Sequence, residues 1–325
     1  MNRPLSHIPR LLTTIAVISV VAACGPGTGD LGSVATPVST PAASVDTPSA
    51  EPTGGGTPGP TGSAAPSPST DPAETTTVRA YFFLGSFTHE AGLAPVLREI
   101  PKTQAVATAA MTALIDGPAK AEIETSPAMY TTIPDGTRLL GLTITNGLAT
   151  VNLSKEFESG GGSASVLGRL AQVVYTLTQF PTVTAVSFEL DGQPVTTFSG
   201  EGVVLDNPVG RTDYTDQLPA IWVDRPAWGA AIGNPARVVG LANVFEATFR
   251  VAIDDNPPGT RSPQILADVQ AMASCGTGCW GTFDVTIPYT VGTAHWGTLR
   301  VYEPSAKDGT PVNVTEYPVW LTPKV

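Results

Sequence analysis

Titratable chemistry is scarce in this sequence. Of 325 residues only three are histidine (His7, His89 and His295) and three are cysteine, and Asp, Glu, Lys and Arg together make up 14%. No G-x-S-x-G elbow, HExxH pair or glycine-rich phosphate loop is present, so the hydrolase, zinc-peptidase and nucleotide-binding classes built on them lose their support, and no cofactor is implied. Basic residues are few as well, 17 against 28 acidic, for a formal net charge of -11. A surface of that sign repels phosphate backbones and excludes nucleic acid as a partner. Long apolar runs are missing too. The nearest is residues 11–21, interrupted by Thr13, Thr14 and Ser19, which falls short of the roughly 20 residues that span a bilayer.

What the amino end does contain is ordered. Arg3 and Arg10 precede the apolar run, and Val21-Ala22-Ala23-Cys24 closes it. A basic start, a short apolar core and small residues before a cleavage point make an export signal, not a permanent span. The closing tetrapeptide resembles a bacterial lipobox, with Val21 where leucine is commoner. The resemblance implies removal of residues 1–23, His7 included, and acylation of Cys24, giving attachment to the membrane through lipid on its extracytoplasmic face. Stable anchoring takes more than one acyl chain.

Residues 24–77 follow as a lipidated tether. From residue 25 to 77 there are ten prolines, no aromatic residue and no Lys or Arg, and the only charges are Asp30, Asp46, Glu51, Asp71 and Glu74. Such a stretch buries too little to offset its ordering entropy, so it is expected to be disordered with local polyproline character. As a coil it would span about 40 Å.

Aromatics return at Tyr81, Phe82, Phe83 and Phe87, opening a first folded domain over residues 78–200. Residues 78–84 read as a strand, Gly92 and Pro95 as a loop, and Pro101 as the first turn of a helix that carries Val106, Ala110, Ala113 and Leu114 on one face. Gly117-Pro118 stops it. Residues 138–145 and 148–153 read as strands joined by Asn146-Gly147, the strongest short hairpin signal. After Gly160-Gly161-Gly162, a flexible joint, a second helix over 163–179 has Val166, Leu170, Val173, Val174 and Leu177 as its apolar stripe. Residues 184–190 form a further strand, turned at Asp191-Gly192 toward 195–198. The expected order is β-α-β-β-α-β, two helices on one face of a sheet.

The run 110–118 (AMTALIDGP), Ile133-Pro134-Asp135-Gly136-Thr137, Val151-Asn152-Leu153-Ser154, Phe157 and residues 172–181 (QVVYTLTQFP) closely resemble a GerMN domain. That family is known from sporulation and germination lipoproteins, and the resemblance implies a non-catalytic extracytoplasmic interaction module. On physical grounds the motifs are structural. Leu153 and Phe157 pack beneath the sheet, Ser154 caps the next turn, and Gln179 binds backbone, with a ligand contact as its alternative.

All five tryptophans, Trp222, Trp228, Trp280, Trp296 and Trp320, lie in a second domain over residues 218–325, with 201–217 as linker. Alternation of Phe245, Ala247, Phe249, Val251 and Ile253 against Glu246, Thr248 and Arg250 marks a half-buried strand, and Phe283, Val285, Ile287 and Tyr289 repeat it. Segments 221–223, 236–241, 299–302 and 312–321 add strands, and Pro318 points to an edge or bulge. The whole is an all-β sandwich. Residues 221–226 (IWVDRP), 234–240 (NPARVVG), 242–246 (ANVFE), 280–283 (WGTF) and 303–309 (EPSAKDG) resemble the immunoglobulin-like domain of bacterial spore germination. That resemblance implies binding or scaffolding and names no active site.

Cys275 and Cys279 enclose three residues, two of them glycine. With Cys24 acylated they form an even set, suited to a small-loop disulfide in an oxidising compartment. The spacing is not the CxxC of redox sites, and a metal would need further ligands. Among the remaining candidates, His89 beside Glu90 reads as a surface loop pair and His295 beside Trp296 as packing. Asp254-Asp255-Asn256 reads as a polar hairpin loop, with weak calcium binding as its alternative. Glu189 and Asp191 flank a strand end and read equally as a solvated turn or a carboxylate pair.

The expected function is a membrane-anchored, non-catalytic binding or scaffold lipoprotein of the cell envelope, with an envelope protein or cell-wall polymer as partner. A wall hydrolase or glycosidase using paired carboxylates and a solute-binding lipoprotein are the alternatives.

Overall fold

The computed structural model describes residues 74–86 and 89–324, with the side chains of 86 and 89–91 left aside. Cys24, the signal and most of the tether lie outside the described residues, as does Phe87, and the side chains of His89 and Glu90 are among those set aside.

The chain opens on a long antiparallel pair, β1 (Thr75–Ser86) with β2 (His89–Pro101). Tyr81, Phe82 and Phe83 are all buried, so the middle of β1 is covered on both faces, which is why residues 80–84 are continuously apolar and not alternating. Each ring buried in this way contributes about 2–3 kcal/mol. Residues 89–101 are therefore strand where loop and helix start were expected. Gly92 and Pro95 read as punctuation, but β2 is an edge strand in the order β2-β1-β3. The Pro95 carbonyl accepts from Trp228 N–H at 2.8 Å, outside the β1 pairing. A strand residue's N and C=O point to the same side, so the missing N–H costs no ladder bond.

The helix begins later, as α1 (Val106–Ile115), after Thr103 Oγ1 has accepted Ala105 N–H at 3.1 Å. It ends at Asp116-Gly117, where Gly117 donates to Leu114 O at 3.1 Å. A short α2 (Lys120–Ile123) and β3 (Met129–Tyr130) follow, and β3 pairs with β1. The hairpin of β4 (Leu139–Thr145) and β5 (Leu148–Leu153) turns at Asn146 and Gly147, both at positive φ, as that dipeptide favours. α3 (Ser163–Leu177) then crosses to β6 (Ala185–Leu190), which pairs in parallel with β5. β7 (Gln193–Pro194) extends that sheet, and β8 (Thr197–Phe198) pairs with β9 (Val203–Val204). The expected two-layer α/β unit is present, with β2, α2 and β3 added to the expected order and the strands divided between two sheets, β2-β1-β3 and β4-β5-β6-β7.

The second half is a sandwich. One sheet is β10 (Ile221–Arg225), β12 (Ala236–Ala242) and β15 (Gly281–Ile287). The other runs β11 (Ala231–Ile232), β17 (Pro311–Leu321), β16 (His295–Pro304), β13 (Thr248–Asp254) and β14 (Ile265–Met272). Phe249 of β13 meets Phe283 of β15 edge to face at 4.8 Å, joining the two inner faces. β13 starts at Thr248, three residues later than its alternation suggested. Phe245–Ala247 is a 3-10 turn with Glu246 and Ala247 at positive φ, and Phe245 is exposed. Two positive-φ residues cannot continue a pleat, whatever the side-chain pattern. Pro318 was expected at an edge or bulge, but β17 lies between β11 and β16. The Pro318 carbonyl faces away from β16 to Gly229 N–H at 2.8 Å, so the missing N–H falls on the β11 side and costs no bond to Thr298.

Candidate functional site

Two polar knots hold α3. Arg169 is 1% exposed and donates to the carbonyls of Phe157, Ser159 and Gly160 at 2.7–2.9 Å, and to Ser165 Oγ at 3.1 Å. Its pKa is lowered by burial. The triple-glycine segment, read as a flexible joint, is pinned at one end by this guanidinium. Gln172 is fully buried, accepts Thr132 N–H at 2.9 Å and donates to Tyr81 O at 2.9 Å. Gln179 does what its sequence position implied. It accepts Arg79 N–H at 2.8 Å and donates to Arg79 O at 2.6 Å, closing the side of β1. Ser154 differs from expectation. Its hydroxyl oxygen accepts Arg138 N–H at 3.0 Å and does not cap the turn 155–158.

The two halves meet at a cluster that sequence reasoning did not single out. Asp224, at the end of β10, receives Arg79 at 3.1 Å, Arg211 at 3.7 Å and Arg225 at 3.9 Å, and the Tyr81 hydroxyl donates to it at 3.0 Å. Arg211 comes from the 3-10 helix Arg211–Gln217, inside the stretch read as linker. Its guanidinium lies 4.8 Å from the Tyr175 ring, 5.5 Å from Tyr81 and 5.8 Å from Trp222. It also donates to Thr178 Oγ1 at 2.8 Å, while the Tyr175 hydroxyl donates to Arg211 O at 3.2 Å. Burial pushes the Tyr81 hydroxyl up to about 12 and raises Tyr175 as well. One cation shared by three rings and one carboxylate ties β1, α3 and β10 together. Gly92 marks a second close approach, against Pro219. A Cβ there would fall 2.3 Å from Pro219 Cδ, so only glycine admits the approach.

A groove of about 490 Å³ is lined by residues of both halves. Ala121, Thr125, Ser126 and Pro127 form one wall, and Trp228, Pro257, Pro258, Trp296 and Pro318 the other. The lining offers few hydrogen-bonding side chains, and Thr125 Oγ1 is already committed to main-chain carbonyls. Trp296 is half exposed and rests edge-on against Trp320 at 5.3 Å. The dipeptide Trp228-Gly229 fixes the back of the groove, because its consecutive N–H groups go to Pro95 of the first half and Pro318 of the second.

The sequence candidates are placed as follows. Cys275 and Cys279 are joined sulfur to sulfur, with Cα atoms 5.9 Å apart. His295 opens β16, where Nδ1 meets Thr293 O at 2.8 Å and Nε2 meets Asp255 at 2.7 Å. Its pKa is raised, first by the Thr293 carbonyl and then by Asp255. Asp254 is buried in a two-point pair with Arg300 at 2.8 and 3.2 Å, and Asn256 accepts Gln264 N–H at 2.7 Å. The three oxygen-bearing residues are thus spent on three different partners. Asp191 occupies a positive-φ turn and Glu189 opposes Pro194. Among the described residues no group of three or more His, Cys, Asp or Glu is placed to hold a metal ion, and no helix is long and apolar enough to cross a membrane.

Residues 79–196 match the family model described as sporulation and spore germination. Residues 220–310 match that of the immunoglobulin-like domain of bacterial spore germination. The chain joins a GerMN-like domain to an immunoglobulin-like one. The boundary between the two matches falls on the Arg211 joint. Among solved structures, the chain is similar to the tandem GerMN domains of the sporulation protein GerM from Bacillus subtilis, at 23% identity and TM-score 0.36, over 46% of this chain and 49% of that one. It thus spans about half of that structure. A putative lipoprotein from Clostridium perfringens is 20% identical with TM-score 0.31, over 47% of this chain and 98% of that one. The first GerMN domain of GerM is 18% identical with TM-score 0.37, over 43% of this chain and 100% of that one. No curated protein matches.

Proposed function

We propose that this chain is a non-catalytic binding or scaffold lipoprotein of the cell envelope, held to the extracytoplasmic face of the membrane through acylated Cys24 and presenting the tryptophan- and proline-lined groove to an envelope partner. The observation that carries the binding role is the groove's construction. Its walls come from both domains, and the main-chain bonds of Trp228 to Pro95 and of Gly229 to Pro318 tie the second-domain wall to β2 of the first. A surface preorganised in this way loses less freedom on binding. The apolar lining suits a polypeptide better than a glycan, since a sugar needs a dense set of convergent hydrogen bonds that these side chains do not offer. The anchor and export signal are supported by the lipobox-like Val21-Ala22-Ala23-Cys24 and by the tether that follows. The two matched domain types, both described for spore germination, support an envelope setting.

The test is cross-linking of the full chain in intact cells, with identification of what is trapped. An envelope protein is expected, and Trp296→Ala should abolish its capture while leaving the fold intact by circular dichroism. Capture unchanged by Trp296→Ala and by Trp228→Ala removes the groove from the function. Loss of membrane association in Cys24→Ser, read by cell fractionation, tests the anchor separately.

A further inference from the structure

We propose that the groove is occupied by the chain's own residues 66–72, the proline-bearing end of the tether, docked in extended polyproline form. This rests on reading the groove as a binding surface and names its occupant. Residues 66–72 read Pro-Ser-Pro-Ser-Thr-Asp-Pro, with Pro66, Pro68 and Pro72 inside seven residues. A polyproline segment has no internal hydrogen bonds and keeps its backbone solvated, so it binds through ring contacts in aromatic-lined grooves. Trp228 and Trp296 on one wall, with prolines 127, 257, 258 and 318 around them, offer that kind of surface.

The geometry of β1 and β2 sets the reach. The described chain enters β1 at Thr75, and Ala80 opposes Val96, which is bridged to Trp228. Trp228 therefore lies about 17 Å along the strands from Thr75 and about 10 Å across them, a separation of about 20 Å. From Thr75 back to Pro68 is seven residues, which extend to about 22 Å at the polyproline rise, and Pro66 reaches about 28 Å. Pro68 and Pro66 thus arrive at the groove's near wall, with Pro72 on the approach to it. Their attachment makes the contact intramolecular, with the high effective concentration of a short link. A foreign segment must then displace residues 66–72 to bind, so partner capture lengthens the free leash.

The test uses the full chain in detergent, with Ser67 replaced by p-benzoylphenylalanine and a mixture of light and isotopically heavy protein irradiated together. Cross-linked peptides joining residue 67 to those carrying Trp228 or Trp296, light to light and heavy to heavy, are the expected result. Their loss in Trp228→Ala Trp296→Ala, with circular dichroism unchanged, is expected as well. In the variant Pro66→Ser Pro68→Ser Pro72→Ser, acrylamide quenching of tryptophan fluorescence should rise. Mixed heavy–light products only would put a second copy in the groove and overturn the proposal, as would cross-links elsewhere or none. If the cross-link fails while Trp296→Ala still abolishes capture of an envelope protein, the occupant is wrong and the groove's binding role stands.

Discussion

Replacing Arg211 by alanine should destabilise both halves of the protein together by about 3 kcal/mol. The guanidinium sits 4.8–5.8 Å from three rings, and a cation over an aromatic face is worth about 1 kcal/mol when partly desolvated. The three contacts share one charge, so they do not add in full. Hydrogen bonds from this partly exposed donor contribute about 1 kcal/mol each, and Arg211 makes such bonds to Thr178 Oγ1 and Tyr175 O. The ion pair with Asp224 is 3.7 Å long and the Arg211 side chain is 27% exposed, so it adds under about 1 kcal/mol. Arg211→Lys keeps the charge but not the planar stack, and should cost about half as much as the alanine change. Urea unfolding followed by tryptophan fluorescence and far-ultraviolet circular dichroism gives the answer, with the midpoint moving at constant slope. In a double-mutant cycle with Asp224→Ala, the coupling should be about 0.5 kcal/mol. A loss under about 0.5 kcal/mol for Arg211→Ala, or strict additivity in the cycle, refutes the role given to this joint.

Gly92→Ala places a methyl 2.3 Å from Pro219 Cδ and should cost about 1–3 kcal/mol, seen as a lower melting temperature. Arg169→Met leaves the Phe157, Ser159 and Gly160 carbonyls without their donor and should cost about 3 kcal/mol in the same assay, with proteolysis newly admitted at residues 159–162. His295 has its pKa raised above 6.5, so its pairing contributes fully below about pH 6.5 and fades as pH rises through the higher folded value. An NMR titration should find that raised value, and Asp255→Asn should lower it in part, because the Thr293 carbonyl remains. The Cys275–Cys279 bond closes a short loop, so Cys275→Ser Cys279→Ser should cost about 2 kcal/mol or less in urea.

The elements legible from the sequence are those whose signal is local. Asn146-Gly147 turns its hairpin, the stripe from Val166 to Leu177 is buried, and Gly117 ends α1. β2 was hidden because Gly92 and Pro95 signal a loop to any short-range reading, while their reasons lie in Pro219 and Trp228, over a hundred residues away. The start of β13 was misplaced because the period-two pattern continues through Phe245–Ala247, where the backbone turns instead. Arg211 looked like solvated linker, since nothing near it in sequence reveals that three rings surround it. Gln179 was readable because its partner, Arg79, is the backbone of the strand next to its own helix. The groove was half visible. The concentration of tryptophan in the last third was plain, but its facing wall at Ala121 to Pro127 comes from the other domain.

The paired amides of Trp228 and Gly229 bear on how this protein fails. A sheet border with free N–H and C=O groups recruits whatever extended chain drifts past, and runaway stacking begins there. Here one dipeptide covers the open side of β2 and the part of β17 that short β11 leaves bare, and each covered position carries a proline unable to offer a donor to an intruder. Loosening that clip should therefore expose two sticky margins in a single event, so that damage at residues 228–229 would show first as loss of solubility.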